Sequence, residues 1–313
     1  MNRREFLKAA ALAGMSLATF GCLSQEKPAP IASSPAPVKG TVIPPLPFDL
    51  TVVHGTDPAG MIERGFKAIG GIETYVKKGF SVVIKPNVSV PSAPEEAATT
   101  NTIMVATLVK MCLAAGAKEV KVVDQPLNSA APAFAIERTG IKKAVEEAKG
   151  KMLTYNGVQE AFQKVDIPGA KIATSVEYAK DVLAADLFIN FPILKQHNGT
   201  KLTLSMKNLM GLIEKRGYFH ANGLLQCIAD LASFNKPHLT IMDAYRGITA
   251  NGPKGPGPIK EYGQLIFGTD MVAIDAYAAA LFGLKPAEVG YIQRASEMGL
   301  GEINWEKLKL QKV

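Results

Sequence analysis

From residue 48 onward, short apolar runs rich in β-branched residues alternate with longer stretches of helical spacing. The runs at 50–54, 81–85, 119–124, 187–189, 239–243 and 264–267 read as strands. Most are continuously apolar, the mark of strands buried on both faces. Helical spacing occupies 57–69, 101–115, 133–139, 141–148, 178–184, 206–211, 223–233, 270–282 and 286–298, with Asp57-Pro58 and Thr269-Asp270 as start signals and Gly116 as a stop. Residues 163–167 and 171–175 read as a hairpin about Pro168-Gly169, and 151–155 as a short strand. Strands separated by helices of about ten residues require right-handed crossovers. The pattern therefore predicts an α/β fold, a mainly parallel sheet with helices on both faces. Residues 125–175 are the candidate for a small inserted subdomain, and no repeat of fixed period occurs.

The N-terminus departs from this pattern. Arg3-Arg4-Glu5-Phe6-Leu7-Lys8 precedes a small-residue apolar run at 9–20, shorter than the roughly 20 residues a membrane span needs. The Arg-Arg-x-Phe-Leu-Lys spacing resembles a twin-arginine export signal. Cys22 follows Gly21 as in a bacterial lipoprotein cleavage site, and three readings stand for it: lipidation, simple cleavage nearby, or an uncleaved anchor. Residues 23–47 are rich in Pro, Ala and Ser, a composition that stays extended and tethers instead of packing. The expected organisation is a signal peptide over 1–22, a tether over 23–47 and a single α/β domain over 48–313. Export to the periplasm or cell envelope is expected, with peripheral membrane association through the signal anchor or a lipid.

The 313 residues are 47% hydrophobic, enough for a substantial core, and carry a formal charge of +7. That mild excess favours an anionic small molecule as partner. No basic stripe with interleaved aromatics occurs, so nucleic acid is not an expected partner. Cys112 and Cys227 each stand alone in an apolar helical pattern, without any CxxC, so an iron–sulfur cluster is not expected.

In open α/β sheets ligands bind beyond the carboxyl ends of the strands, so the residues just past each strand carry the candidate chemistry. Residues 81–84 deliver Lys85 and Asn87, 119–123 deliver Asp124, and 187–189 deliver Asn190, Lys195 and His197. Residues 239–242 deliver Asp243, and 264–267 deliver Thr269 and Asp270. The densest signal is Lys195, His197, Lys201 and Lys207, with Asn208 and Gly211 at a helix start whose free N–H groups can hold an anion. Lys85, Asn87, Asn190, Lys195, Lys201 and Asn208 are the expected anion-binding residues. His197 and Lys207 are the expected catalytic residues, His197 as general acid or base.

Thr203 and Ser205 would present hydroxyls on the side of Lys201 and Lys207. His220, after Lys215-Arg216 and Tyr218, would sit on a lid, and the Gly/Pro loop 251–258 would approach a ligand with bare backbone. Asp275 stands in the apolar middle of a helix and needs a partner, either a lysine or a divalent cation. Asp243, Asp270 and Asp275 are therefore the expected ligands of a divalent metal facing the lysines.

Lys85-Pro86-Asn87, Leu194-Lys195-x-His197, Ser205-x-Lys207-Asn208-Leu209-x-Gly211, Asp243, the Gly-Pro-x-Gly loop at 252–255 and Asp270-x-Val-Ala-x-Asp275 occur in that order. Together they resemble the family called domain of unknown function 362, over roughly residues 50–300. The resemblance implies no defined activity. Many members carry ferredoxin-like cysteine motifs and are labelled iron–sulfur proteins, a feature this sequence lacks. Three functions stay open: an exported enzyme acting on an anionic small molecule, a tethered binding protein that needs the lysines but neither His197 nor Asp275, and an electron-transfer accessory of an iron–sulfur system.

Overall fold

The apolar runs pair into one central sheet. The computed structural model describes residues 42–127 and 132–313, so the expected signal peptide, the candidate lipidation site Cys22 and most of the tether lie outside the described residues. The strands are β1 (Leu50–His54), β2 (Ser81–Pro86), β3 (Glu119–Val123), β4 (Lys151–Leu153), β5 (Phe162–Asp166), β6 (Ser175–Ala179), β7 (Leu187–Phe191), β8 (Lys195–His197), β9 (Lys201–Thr203), β10 (Leu239–Ile248), β11 (Ile259–Gly268) and β12 (Leu310–Lys312). Eight of them form the sheet in the order β12-β1-β11-β10-β7-β2-β3-β4, while β5–β6 and β8–β9 are separate two-stranded ribbons.

Every neighbouring pair in the sheet is parallel except those of β11, which runs antiparallel to both β1 and β10. The fold is thus α/β with a mixed, mostly parallel sheet flanked by helices on both sides, as the alternation predicts.

Period-2 alternation divides each strand between two cores. Val83, Val123, Phe188, Met242 and Ile266 pack on one face, under the helices Leu224–Phe234, Met271–Phe282 and Gly290–Glu297. Val82, Ile84, Val122, Ile189, Ile241 and Phe267 pack on the other, under Pro58–Ala68, Thr102–Ala114 and Ile141–Glu147. Asp57 and Asn101 start two of these helices by accepting hydrogen bonds from backbone N–H groups of the first turn. The inserted stretch supplies the helices Pro132–Arg138 and Ile141–Glu147, the edge strand β4 and the ribbon strand β5.

Two local expectations change. The ribbon's second strand is Ser175–Ala179, so the helix expected over 178–184 shrinks to Lys180–Leu183. The helix expected from 206 begins at Ser205, ends at Asn208 and continues as a 3-10 turn, Leu209–Leu212.

The antiparallel β11 carries the larger consequence. Gly268, at its carboxyl end, pairs with Thr240 near the start of β10. Asp270 therefore emerges at the edge of the sheet opposite the carboxyl ends of β2, β3, β7 and β10. The expectation that Asp270 joins Asp243 in one wall is corrected: a strand reversed by the 249–258 connection delivers its end to the wrong side.

Candidate functional site

Adjacent strands β3, β2, β7 and β10 bring Asp124, Lys85, Asn190 and Asp243 to one edge, with Lys85 and Asn190 direct register partners. Over this edge lies a cavity of about 240 Å3. Strand ends and the 87–89 turn contribute Lys85, Asn87, Ser89, Asp124 and Gln125 to its wall. The 197–211 segment contributes His197, Thr203, Lys207, Asn208, Met210 and Gly211, and Arg216, His220 and Pro253 close it.

Polar groups behind the wall are almost wholly satisfied by each other. Lys85 Nζ donates to Asp124 Oδ1 at 2.6 Å, to Pro86 O at 2.7 Å and to Asn208 Oδ1 at 3.1 Å. Asp124 Oδ2 accepts from the Val88 N–H at 2.6 Å. Asn208 Nδ2 donates to the Lys85 carbonyl and to Asn190 Oδ1, and Asn190 Nδ2 donates to the Ser205 carbonyl. Asn87 links Asn208 Oδ1 to Lys195, whose Nζ also donates to the Ala98 and Pro253 carbonyls.

A lysine ammonium has three hydrogens. Lys85 and Lys195 have therefore committed all of theirs inside the protein and offer a ligand only their field. Asn190 is fully buried beneath Asn208 and supports the wall from behind.

Lys207 differs. Its Nζ touches only Met210 Sδ, at 3.9 Å, and meets no oxygen acceptor among the described residues. Arg216 donates to the Gln125 and Pro126 carbonyls, each at 2.9 Å, which leaves three of its five N–H groups. Thr203 Oγ1 is buried without a hydrogen-bond partner among the described residues. Burial, with the nearby cations Arg216 and Lys85, holds Lys207 down to about 8. Burial, then Lys207, holds Lys195 down to about 7. Burial also keeps Lys85 below its ordinary value, against the pull of Asp124. Cations that lower one another's charge with a single committed carboxylate among them form a site deficient in negative charge.

Two features bear on the acid or base role expected of His197. Its Nδ1 accepts from the Gly199 N–H at 3.0 Å, which assigns the ring proton to Nε2. Burial and the charges of Lys207 and Lys195 press its conjugate acid down to about 3. At neutral pH it is a neutral N–H donor whose one basic nitrogen is occupied.

Lys201 is not part of the site. The β8–β9 turn sends it to the surface, where it pairs with Glu288 at 3.3 Å, both side chains about half exposed (52% and 43%). Lys201→Ala is expected to leave anion binding unchanged and stability within about 0.5 kcal/mol, by titration and thermal melting.

The metal expectation is corrected as well. No group of three His, Cys, Asp or Glu side chains that could hold a metal ion occurs among the described residues. Each aspartate is bound by backbone N–H groups instead. Asp243 accepts from Asn101 and Tyr245, Asp270 from Val272, Ala273 and Glu302, and Asp275 from Ser205 and Met206. The backbone N–H groups at the start of the helix Ser205–Asn208 hold the carboxylate of Asp275.

Ser205 Oγ turns away to the Met271 carbonyl, at 3.4 Å. The Gly/Pro loop behaves as expected: Pro253 reaches the cavity, and a Cβ at residue 252 would overlap the Gln196 carbonyl. Arg216 and Gln125 are absent from the expected site. The basic pair Lys215-Arg216 is the one signal for Arg216; Gln125, whose Nε2 donates to the Gly211 and Ile213 carbonyls, has none.

Residues 82–280, more than half of the chain, match the model of the family described as domain of unknown function (DUF362). Among curated proteins, the thylakoid-associated protein sll1697 of Synechocystis sp. is similar: 28% identical over 251 residues, covering 74% of this chain and 72% of that protein.

Proposed function

The chain belongs to the DUF362 family, and we propose that it binds a small, fully ionised anion in the cavity at the carboxyl ends of β2 and β3. The observation that carries this reading is Lys207, a desolvated ammonium, beside Arg216: among the described residues the first has no oxygen partner and the second has three uncommitted N–H groups. His197 Nε2–H and Thr203 Oγ1 complete a lining rich in donors. Asp124, the acid of the lining, is already engaged through both oxygens. Such a wall suits phosphate or carboxylate oxygens and disfavours a zwitterion or a cation. Binding is the primary reading because Asp124 and His197 Nδ1, the basic atoms of the lining, already accept hydrogen bonds.

Inorganic phosphate is expected to raise the melting temperature, and Lys207→Gln to weaken its binding about ten- to a hundredfold, the loss of one charge-assisted contact. The pH dependence comes from the cation. Lys207 is protonated below about 8, so affinity should be greatest there and fall as pH rises through that value. Calorimetric titration between pH 6 and 9.5 checks this; affinity that rises with pH, or a Lys207→Gln variant that binds as well as the parent, overturns the reading.

The Arg3-Arg4 motif supports export of the folded protein to the periplasm or envelope, and the name of the Synechocystis relative supports a membrane-proximal setting. Among the described residues no helix is long and apolar enough to cross a membrane, so the proposed attachment falls to the N-terminal segment. Fractionation of cells with and without Arg3→Lys/Arg4→Lys tests it: the double variant should stay in the cytoplasm.

A further inference from the structure

A lysine amine attacks a carbonyl only when it is unprotonated and unoccupied. Lys85 and Lys195 are each held by three acceptors. Lys207 lines the cavity with only a thioether sulfur against its Nζ. Burial and the adjacent Arg216 and Lys85 favour the neutral amine, bringing it to about 8 against an ordinary 10.5. At neutral pH that amine is unprotonated roughly two to three orders of magnitude more often than an exposed lysine. Two further groups point to an oxygen-bearing ligand at the same place: Thr203 Oγ1, buried and unpartnered among the described residues, and the Nε2–H of His197.

We propose that Lys207 is a nucleophile that forms an imine with a small 2-oxo acid, whose carboxylate Arg216 receives. This rests on the anion-binding reading of the cavity and adds to it the class of ligand and a covalent step. The cavity of about 240 Å3 admits only a small ligand. A carboxylate directly beside a carbonyl fits that room and brings its charge to Arg216 while its carbonyl carbon meets Nζ.

The neutral Nζ adds to the carbonyl carbon, a C–N bond forms, and the C=O pair moves to oxygen. That oxygen, held by Thr203 and His197 as hydrogen-bond donors, takes up one of the two protons of the attacking Nζ. The carbinolamine then loses the oxygen as water, with one hydrogen from Nζ, and leaves a C=N bond. Carbonyl compound and amine give imine and water, with no oxidant or reductant. Protonation of the imine restores a cation beside the carboxylate.

The test incubates the protein at pH 7.5 with pyruvate, glyoxylate or 2-oxoglutarate and cyanoborohydride, and maps the modified lysines by peptide mass spectrometry. Expected is a gain of the acid's mass less one oxygen at Lys207, at least about tenfold faster than at exposed lysines such as Lys254, and suppressed by inorganic phosphate. Lys207→Arg should lose that adduct while its melting curve reports an intact fold, and Lys201→Arg, a second variant at a residue outside the site, should keep it. Labelling of Lys207 no faster than of Lys254, with the phosphate-induced thermal shift intact, overturns the imine and leaves the binding reading standing. Absence of both the adduct and the phosphate shift overturns both.

Discussion

Asp124→Asn is expected to lower unfolding stability by about 3–5 kcal/mol, the cost of removing one partner from a buried ion pair. Lys85 and Asp124 are each 1% exposed and meet at 2.6 Å. Without the carboxylate, the Lys85 ammonium meets only uncharged acceptors, in a setting whose burial already lowers its pKa against the help of Asp124. The variant should therefore release that proton more readily in the folded state than in the unfolded one. A base whose folded pKa is depressed makes the folded state more stable as pH rises toward the unfolded value, so the deficit should shrink between neutral pH and about pH 10.

Replacing both partners, Lys85→Met with Asp124→Leu, should recover most of the loss, because no unpaired charge stays behind. Urea denaturation of the single and double variants at two pH values measures these effects. Gly211 reports on the same pair from outside it: a Cβ there would overlap Asp124 Oδ1 and lie 2.7 Å from Lys85 Nζ. Gly211→Ala should thus disturb the pair without touching either charge. A double variant no more stable than Asp124→Asn would show that the pair is not what the stability depends on.

Most of the sheet was legible because buried parallel strands are apolar on both faces, so 81–85 and 187–189 stand out without any neighbour to pair with. Direction was not legible for β11: its apolar pattern is the same whichever way it runs, and only the long Gly/Pro connection from β10 decides it. That single reversal sends Asp270 to the opposite edge. Residue types also marked the cavity before the fold did, since Lys85, Asn87, Asp124, His197, Lys207 and Asn208 all meet there. What the sequence conceals is which donors are already used. Lys195 and Lys207 look alike along the chain, yet one is held by three acceptors and the other by none among the described residues. Arg216 was hidden for another reason. It belongs to no strand end and reaches the wall from the helix Arg216–Asn222.

Asp275→Ala is expected to cost about 2–5 kcal/mol without removing any contact to a ligand. Its two oxygens accept from the Ser205 N–H at 2.8 Å and the Met206 N–H at 3.1 Å, so the helix Met271–Phe282 is tied to the start of the Ser205–Asn208 turn. Burial pushes its carboxyl up to about 7, and the Ser205 hydroxyl and the amide donors only partly offset that. For an acid held above its unfolded value, stability is greatest below the unfolded pKa and declines as pH rises through the folded one. The parent should therefore lose stability from this group between about pH 4 and 7, and Asp275→Ala should be flatter over that window.

The same link reaches the site. Ser205 leads directly into Lys207 and Asn208, whose amide supports Lys85 and Asn190. Releasing the turn should widen the spread of Lys207 positions, so phosphate affinity should fall by a few-fold even where the protein is folded. Asp275→Asn discriminates here: it keeps the side chain's size but sets an amide donor against a backbone donor. It should resemble Asp275→Ala in stability and in phosphate titration. A stable Asp275→Asn variant with parental affinity would mean that the carboxylate fills space and does not fasten the turn.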